Sequence, residues 1–355
     1  MYTYQDALKV YGKERVERLM QMPELPGAAY HIGLSYLKQN EDDFLEKPDY
    51  EEAIKWFTRA LENRKDSIAN MRAPVGNELE WNLAYALMMP SQRRNLNLAN
   101  KIMSSLHPYS WCNKQYAVKA IVQRGSCLRM LRKHNEAEKF FSEWWEKCLT
   151  TFNSFDQLSG WRNLNKEIYR TLLWKYNGDV NHPEIAKRNF DMRSCLGVFL
   201  NYVIGKTSVQ ERLDIIANYF PSQKGKLYPS GMDDELKEMF DICKAVTGNK
   251  EIIKKYDDAF NCVKHSGGPH NIYQWRDGLK KDQYFVAAFL LAKGVIKQKM
   301  LHQHAFKHPT DVWRALAWRG HPICMLSLAK FGEDREYWEE NAHLYGGPKL
   351  WSISI

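Results

Sequence analysis

Residues 161–178, WRNLNKEIYRTLLWKYNG, decide the fold class. Trp161, Leu164, Ile168 and Leu172 recur at steps of three and four, which places them on one face of a helix. Asn177-Gly178 follows, a pair that tolerates the left-handed backbone at which helices stop. The same period continues on the C-terminal side. Ser208-x-x-Glu211 is a capping box opening a segment with Val209, Leu213 and Ile216 on one side. Leu236, Met239, Phe240 and Cys243 repeat the pattern, as do Phe285, Ala288, Phe289, Ala292 and Ile296. No Asn-Gly or Asp-Gly turn lies between alternating apolar residues, so hairpins are not expected. The expected fold class is all-α.

Working toward the N-terminus, a faint internal repeat emerges. One unit reads Gly33-x-x-Tyr36, then Ala53-x-x-x-Phe57-x-x-Ala60. The next reads Ala84-x-x-Leu87, then Ala99-x-x-x-Met103-x-x-Leu106, and a third reads Gly125-x-x-Leu128, then Ala137-x-x-x-Phe141-x-x-Trp144. A small residue on the first helix lets the second cross closely, and the following triplet fills the gap. This pattern resembles the tetratricopeptide family of helix–turn–helix repeats, over roughly Pro26 to Lys147. The step from Gly125 to Ala137 matches the family spacing, whereas eight extra residues separate Gly33 from Ala53. The middle unit has Ala for Gly, and Trp144 stands where the family has a small residue.

The resemblance implies an α-solenoid of stacked helix pairs over residues 1–150, and helical pairs are expected to continue over 151–220. A Pro- and Gly-rich stretch, PSQKGKLYPSG at 221–231, reads as a loop or boundary before an irregular helical region at 232–355. A second break is His265-Ser-Gly-Gly-Pro-His270. The family's role is to hold a peptide, a helix or a folded domain: adaptor, scaffold, regulator, or an antagonist of the antitoxin or immunity type. Lys119 and Arg129 fall on the helix that carries the family's peptide-carboxylate clamp, but the matching Asn pattern is absent.

Composition narrows the class from another direction. The chain has 355 residues, 44% of them apolar and 26% charged, which excludes a disordered or collagen-like polymer. No apolar run reaches the ~18 residues needed to span a bilayer. The longest, Tyr284–Ala292, is at most a core helix. Seven scattered Cys form no CxxC pair, and their odd number argues against a disulfide framework. With the polar, mixed-charge start MYTYQDALKVYGKER, this points to a cytoplasmic protein.

Signals for chemistry are weak. Gly205-Lys206-Thr207 resembles the end of a phosphate loop, but the first Gly of that motif is replaced by Leu200. His304 and His308 are spaced as a pair of metal ligands, yet lack a companion Glu and are crowded by Lys297, Lys299 and Lys307. No nucleophile elbow, dinucleotide fingerprint or zinc-ribbon spacing occurs. No enzyme activity, cofactor or metal is therefore expected. Phe140-Phe141 and Trp144-Trp145 read as packing at helical spacing rather than stacking platforms for bases.

Charge carries the sharpest signal. Between Trp81 and Asn135 lie 55 residues without a single Asp or Glu but with nine Lys or Arg, equal to the entire net charge of +9. At ordinary acid frequency such a gap arises in only about one window per thousand. An anionic partner is expected, an acidic protein first and nucleic acid second, and no membrane. The candidate contacts are Arg93, Arg94, Lys119, Arg129, Arg132 and Lys133. The alternative is internal neutralisation by residues 41–52, EDDFLEKPDYEE, which carry seven acids and one Lys. A second basic focus, Lys293–Pro322, includes four His and a potential pH dependence.

Overall fold

The computed structural model describes residues 6–7, 9–10, 12–25, 27–39, 46–67, 77–106, 114–151, 156–203, 206–220, parts of 232–254, and 309–344. Among these the chain is helical and contains no strand. The all-α expectation holds. The 221–231 loop, the break at 265–270, the helix expected around Phe285–Ile296 and the His304/His308 pair lie outside the described residues.

Two compact units are present. One joins residues 1–133 to 314–355, and the other comprises 134–313. The first unit opens with α1 (Gly12–Met20), α2 (Ala28–Tyr36), α3 (Tyr50–Ser67), α4 (Glu78–Met88), α5 (Leu96–Ser104) and α6 (Lys114–Met130). Each packs on its successor, and α4 also meets α6. The α2–α3 crossing explains its sequence. A Cβ on Gly33 would lie only 2.6 Å from the Phe57 ring, so no larger residue fits there without displacing Phe57. Ala53 and Phe57 are fully buried and Ala60 nearly so. Ala84, Ala99 and Met103, the corresponding positions of the middle unit, are likewise fully buried.

Polar bonds tie these helices across long sequence separations. Asn82 Nδ2 donates to Tyr30 Oη at 3.1 Å, linking α4 to α2. Gln123 Nε2 donates to the Trp81 carbonyl at 3.2 Å, linking α6 to α4. The last turn of α6 closes when the Lys133 N–H donates to the Leu128 carbonyl at 2.9 Å. Arg132 adopts φ 58° to allow this, a left-handed conformation usually left to Gly or Asn.

The same unit receives the last described helices, α13 (Pro322–Phe331), α14 (Arg335–Leu344) and the end of α12 (Pro309–Ala317), within which the unit boundary falls. Tyr50 Oη donates to the Trp318 carbonyl at 2.5 Å. The Arg319 guanidinium, on a residue only 7% exposed, donates to the carbonyls of Lys38, Glu46 and Ala315. Gly332, at φ 96°, stops α13, and the Glu333 carboxylate then pairs with Arg314 through both oxygens.

The second unit contains α7 (His134–Thr151), α8 (Asp156–Lys175), α9 (Pro183–Ala186), α10 (Met192–Tyr202) and α11 (Val209–Tyr219). Leu164, Ile168 and Leu172 of α8 are buried as their period requires. Asn177 and Gly178 both take positive φ, and the Gly178 N–H donates to the Leu173 carbonyl at 2.8 Å, ending the helix. The Ser208–Glu211 capping box forms in both directions, with bonds of 2.6 and 3.2 Å. Behind it Leu213 and Ile216 join Leu196, Leu200, Leu236 and Cys243 in one core cluster. Here polar ties are both local and long-range. Glu167 pairs with Arg170 one turn on, both buried, and Glu138 reaches along the chain to hold Lys175 at 3.2 Å and Arg188 at 2.5 Å.

Candidate functional site

The six basic residues singled out from the sequence do not share one environment. Arg93 and Arg94 are exposed on the α4–α5 connection, with Arg94 Nη1 3.4 Å from Asn341 Oδ1 of α14. Lys119 is half-buried on α6. Arg132 and Lys133 are exposed at its C-terminal turn. Arg129 corrects the expectation that all six are surface contacts. It is only 4% exposed and its Nη2 donates to Ser126 Oγ at 3.2 Å. The physical reason is that this end of α6 is enclosed on all sides. From Ala120 to Met130 every residue except Arg124 is buried, and exposure resumes only at the turn.

The acids of the 41–52 turn find local partners where they are described. Glu46 pairs with Lys38 at 2.8 Å, Glu52 with Lys55 at 3.1 Å, and Asp49 Oδ1 accepts the Glu52 N–H at 3.0 Å as the cap of α3. Residues 41–45 lie outside the described residues.

A cleft of about 790 Å³ opens beside this turn, entirely within the first unit. Three stretches of chain build it: 47–51, 90–94, and the C-terminal helices. Its aromatic wall comes from α14 and the residue just past α12. Trp318 meets Trp338 edge-on at 5.0 Å, Tyr337 meets Trp338 edge-on at 5.0 Å, and Trp318 lies 6.0 Å from Tyr337. Trp338 is buried, whereas Trp318 and Tyr337 are half-exposed. Lys47 Nζ sits 3.8 Å from the centre of the Trp318 ring, a cation–π contact. The Ser91 hydroxyl is buried in the lining without a hydrogen-bond partner among the described residues.

Charge in the cleft runs against that of the chain. Four carboxylates, Asp49, Glu51, Glu333 and Asp334, share the lining with Lys47, Arg94 and Arg314. Glu333 is committed to Arg314, while Glu51 and Asp334 make no ion pair among the described residues. Burial raises the Tyr337 phenol above its usual range, with Arg94 opposing and Asp334 adding to the shift. The sequence offered little to find this place. Its aromatics sit at Trp318 and at Tyr337-Trp338, with no motif to mark them, and its charged components were visible only as members of separate runs, Lys47 to Glu51 in the acidic turn, Arg94 in the acid-free segment and Arg314 in the late basic focus.

Elsewhere, titratable groups are set into helix packing. Burial pushes the Glu78 carboxyl up to about 7, against a hydrogen bond with Tyr30 that favours the charged form. Burial, helped by the nearby Arg15 guanidinium, takes His31 down to about 4, and Arg15 Nη2 lies 3.3 Å from its Nδ1. Cys127, Cys195, Cys243 and Cys324 are buried, and burial lifts the Cys127 thiol to about 12, far from thiolate chemistry. No cluster of three or more His, Cys, Asp or Glu able to hold a metal occurs among the described residues. Nor, among them, is any helix long and apolar enough to cross a membrane.

Comparison with known proteins returns no matching family model, no matching curated protein and no matching solved structure.

Proposed function

We propose that this protein is a non-catalytic helical-repeat scaffold or regulator that holds an anionic partner on its basic helical surface. The observation that carries the reading is the 55-residue acid-free segment, whose Arg93, Arg132 and Lys133 are exposed in the first unit. A field of one sign over such a span accelerates encounter with an oppositely charged surface. The tetratricopeptide-like part of the proposal rests on the small-against-large crossing of Gly33 and Phe57 and on the burial of the equivalent Ala and Met positions in the second repeat. Partner-capping of the antitoxin or immunity kind is one instance of such a role, and the cytoplasm is its proposed setting.

An acidic protein is the favoured partner. Nucleic acid is the second reading, because exposed Arg and Lys on one stretch of chain also suit phosphates. The test is affinity capture from the native host with the wild-type chain and with Arg93→Glu/Arg132→Glu/Lys133→Glu, each with and without nuclease and across a salt series. An acidic protein retained through nuclease treatment, released by salt and lost with the triple variant is the expected result. Nuclease-sensitive capture selects the nucleic-acid reading. Equal capture by both chains at every salt concentration rejects the basic surface as the contact.

A further inference from the structure

We infer that the cleft in the first unit, which shares only Arg94 with the six basic candidates, is an aromatic cage for an alkylammonium side chain presented by a partner polypeptide. Three observations converge. The first is that a cation already occupies it. Lys47 is exposed and makes no ion pair among the described residues, yet its ammonium sits 3.8 Å over the Trp318 ring. That placement is what the negative face of an indole favours.

The second is the sign of the surroundings. In a chain of net charge +9, this lining holds four carboxylates against three cations. Arg314 is neutralised by Glu333, and Glu51 and Asp334 are left without an ion-pair partner among the described residues. A phosphate or carboxylate guest meets that charge as repulsion. An ammonium meets it as attraction, strengthened by partial removal from water.

The third is size. A cleft of about 790 Å³ is several times larger than one ammonium head group, so it has room for the chain that carries the head group. Lys47 is then an internal placeholder that a partner's side chain displaces.

The test uses the full chain and calorimetric titration with short alanine–serine peptides that differ only at one central residue: trimethyllysine, lysine or norleucine. Tetramethylammonium chloride is the free-ion arm. The cage predicts saturable binding in the order trimethyllysine, lysine, norleucine, with both cationic peptides at least tenfold tighter than tetramethylammonium. Lys47→Met, at an exposed position, should tighten the cationic peptides by about two- to five-fold, the usual magnitude of an exposed cation–π contact. Trp318→Leu should abolish the preference for cation over norleucine, with circular dichroism confirming that the variant is folded. Equal affinity for norleucine, tetramethylammonium as tight as the peptides, or no saturable binding by either wild type or Lys47→Met would each overturn the proposal. Because Arg132 and Lys133 lie outside the cleft lining, reversing their charge should leave peptide affinity unchanged, so failure of the basic-surface reading is read separately.

Discussion

Two buried charges, one in each unit of this chain, are satisfied in opposite ways. In the first, Arg319 donates to backbone carbonyls of Lys38 and Glu46, residues from the far end of the sequence. In the second, Glu167 and Arg170 satisfy each other one helical turn apart. A polar bond between sequence neighbours adds to a helix that its apolar face already specifies. A bond between chain ends selects which distant pieces come together, because the buried Arg319 guanidinium has lost water and needs those acceptors.

Breaking one buried charge in each unit sharpens that difference. Glu167→Gln removes the carboxylate facing a buried Arg170 and should destabilise the second unit by about 3–5 kcal/mol. Arg319→Met should cost the first unit about 3 kcal/mol through the carbonyls it strands. Hydrogen exchange separates the two by extent. The Arg319 variant should lose protection in both residues 28–39 and 314–344, whereas the Glu167 variant should lose it within 134–203 and leave those two segments unchanged. Loss confined to 314–344 in the Arg319 variant would show that the long-range bonds do not couple the chain ends.

A smaller effect tests apolar packing on its own. Gly33→Leu places a side chain where a Cβ alone comes within 2.6 Å of Phe57, and should destabilise by about 1–3 kcal/mol. Adding Phe57→Ala should make the pair less damaging than the sum of the single changes in urea melts, because the two residues compete for one volume. Strict additivity would mean that α2 and α3 do not cross at these positions.

The smallest expected effect is a cancellation. Glu78 holds its proton in the folded state up to about pH 7, so its contribution is greatest below its unfolded value near 4.5 and fades as pH rises toward 7. His31 stays neutral down to about pH 4, so its contribution is present above 6.5 and fades as pH falls toward 4. The slopes oppose each other over most of the same window, and the wild type should show a nearly flat melting temperature there. Glu78→Gln should expose a stability that falls with acidification, and His31→Asn one that rises. If both variants keep the flat profile, neither group is titrating where its burial puts it.

Local signals were legible in the sequence, and their outcomes are local. The Asn177-Gly178 stop, the Ser208–Glu211 box and the Leu164/Ile168/Leu172 stripe each depend on residues within a few positions of one another. What escaped was anything made by return of the chain. Trp318, Arg319, Tyr337 and Trp338 look like ordinary helix residues until they are set beside the 47–51 and 90–94 segments, and no periodicity encodes that meeting. Arg129 escaped for a different reason. Net charge counts residues without regard to burial, and this end of α6 is enclosed on every face.

The discontinuity of the first unit also sets a timetable for making the protein. Residues 1–133 emerge first from the ribosome, but the segment that supplies Arg319 follows only after residues 134–313 have been synthesised. At about 5–20 residues per second that is a wait of roughly 10–35 s. Until then the Lys38 and Glu46 carbonyls and the seat of Trp318 lack their partners, so vectorial synthesis finishes the second unit's sequence before the first unit can close.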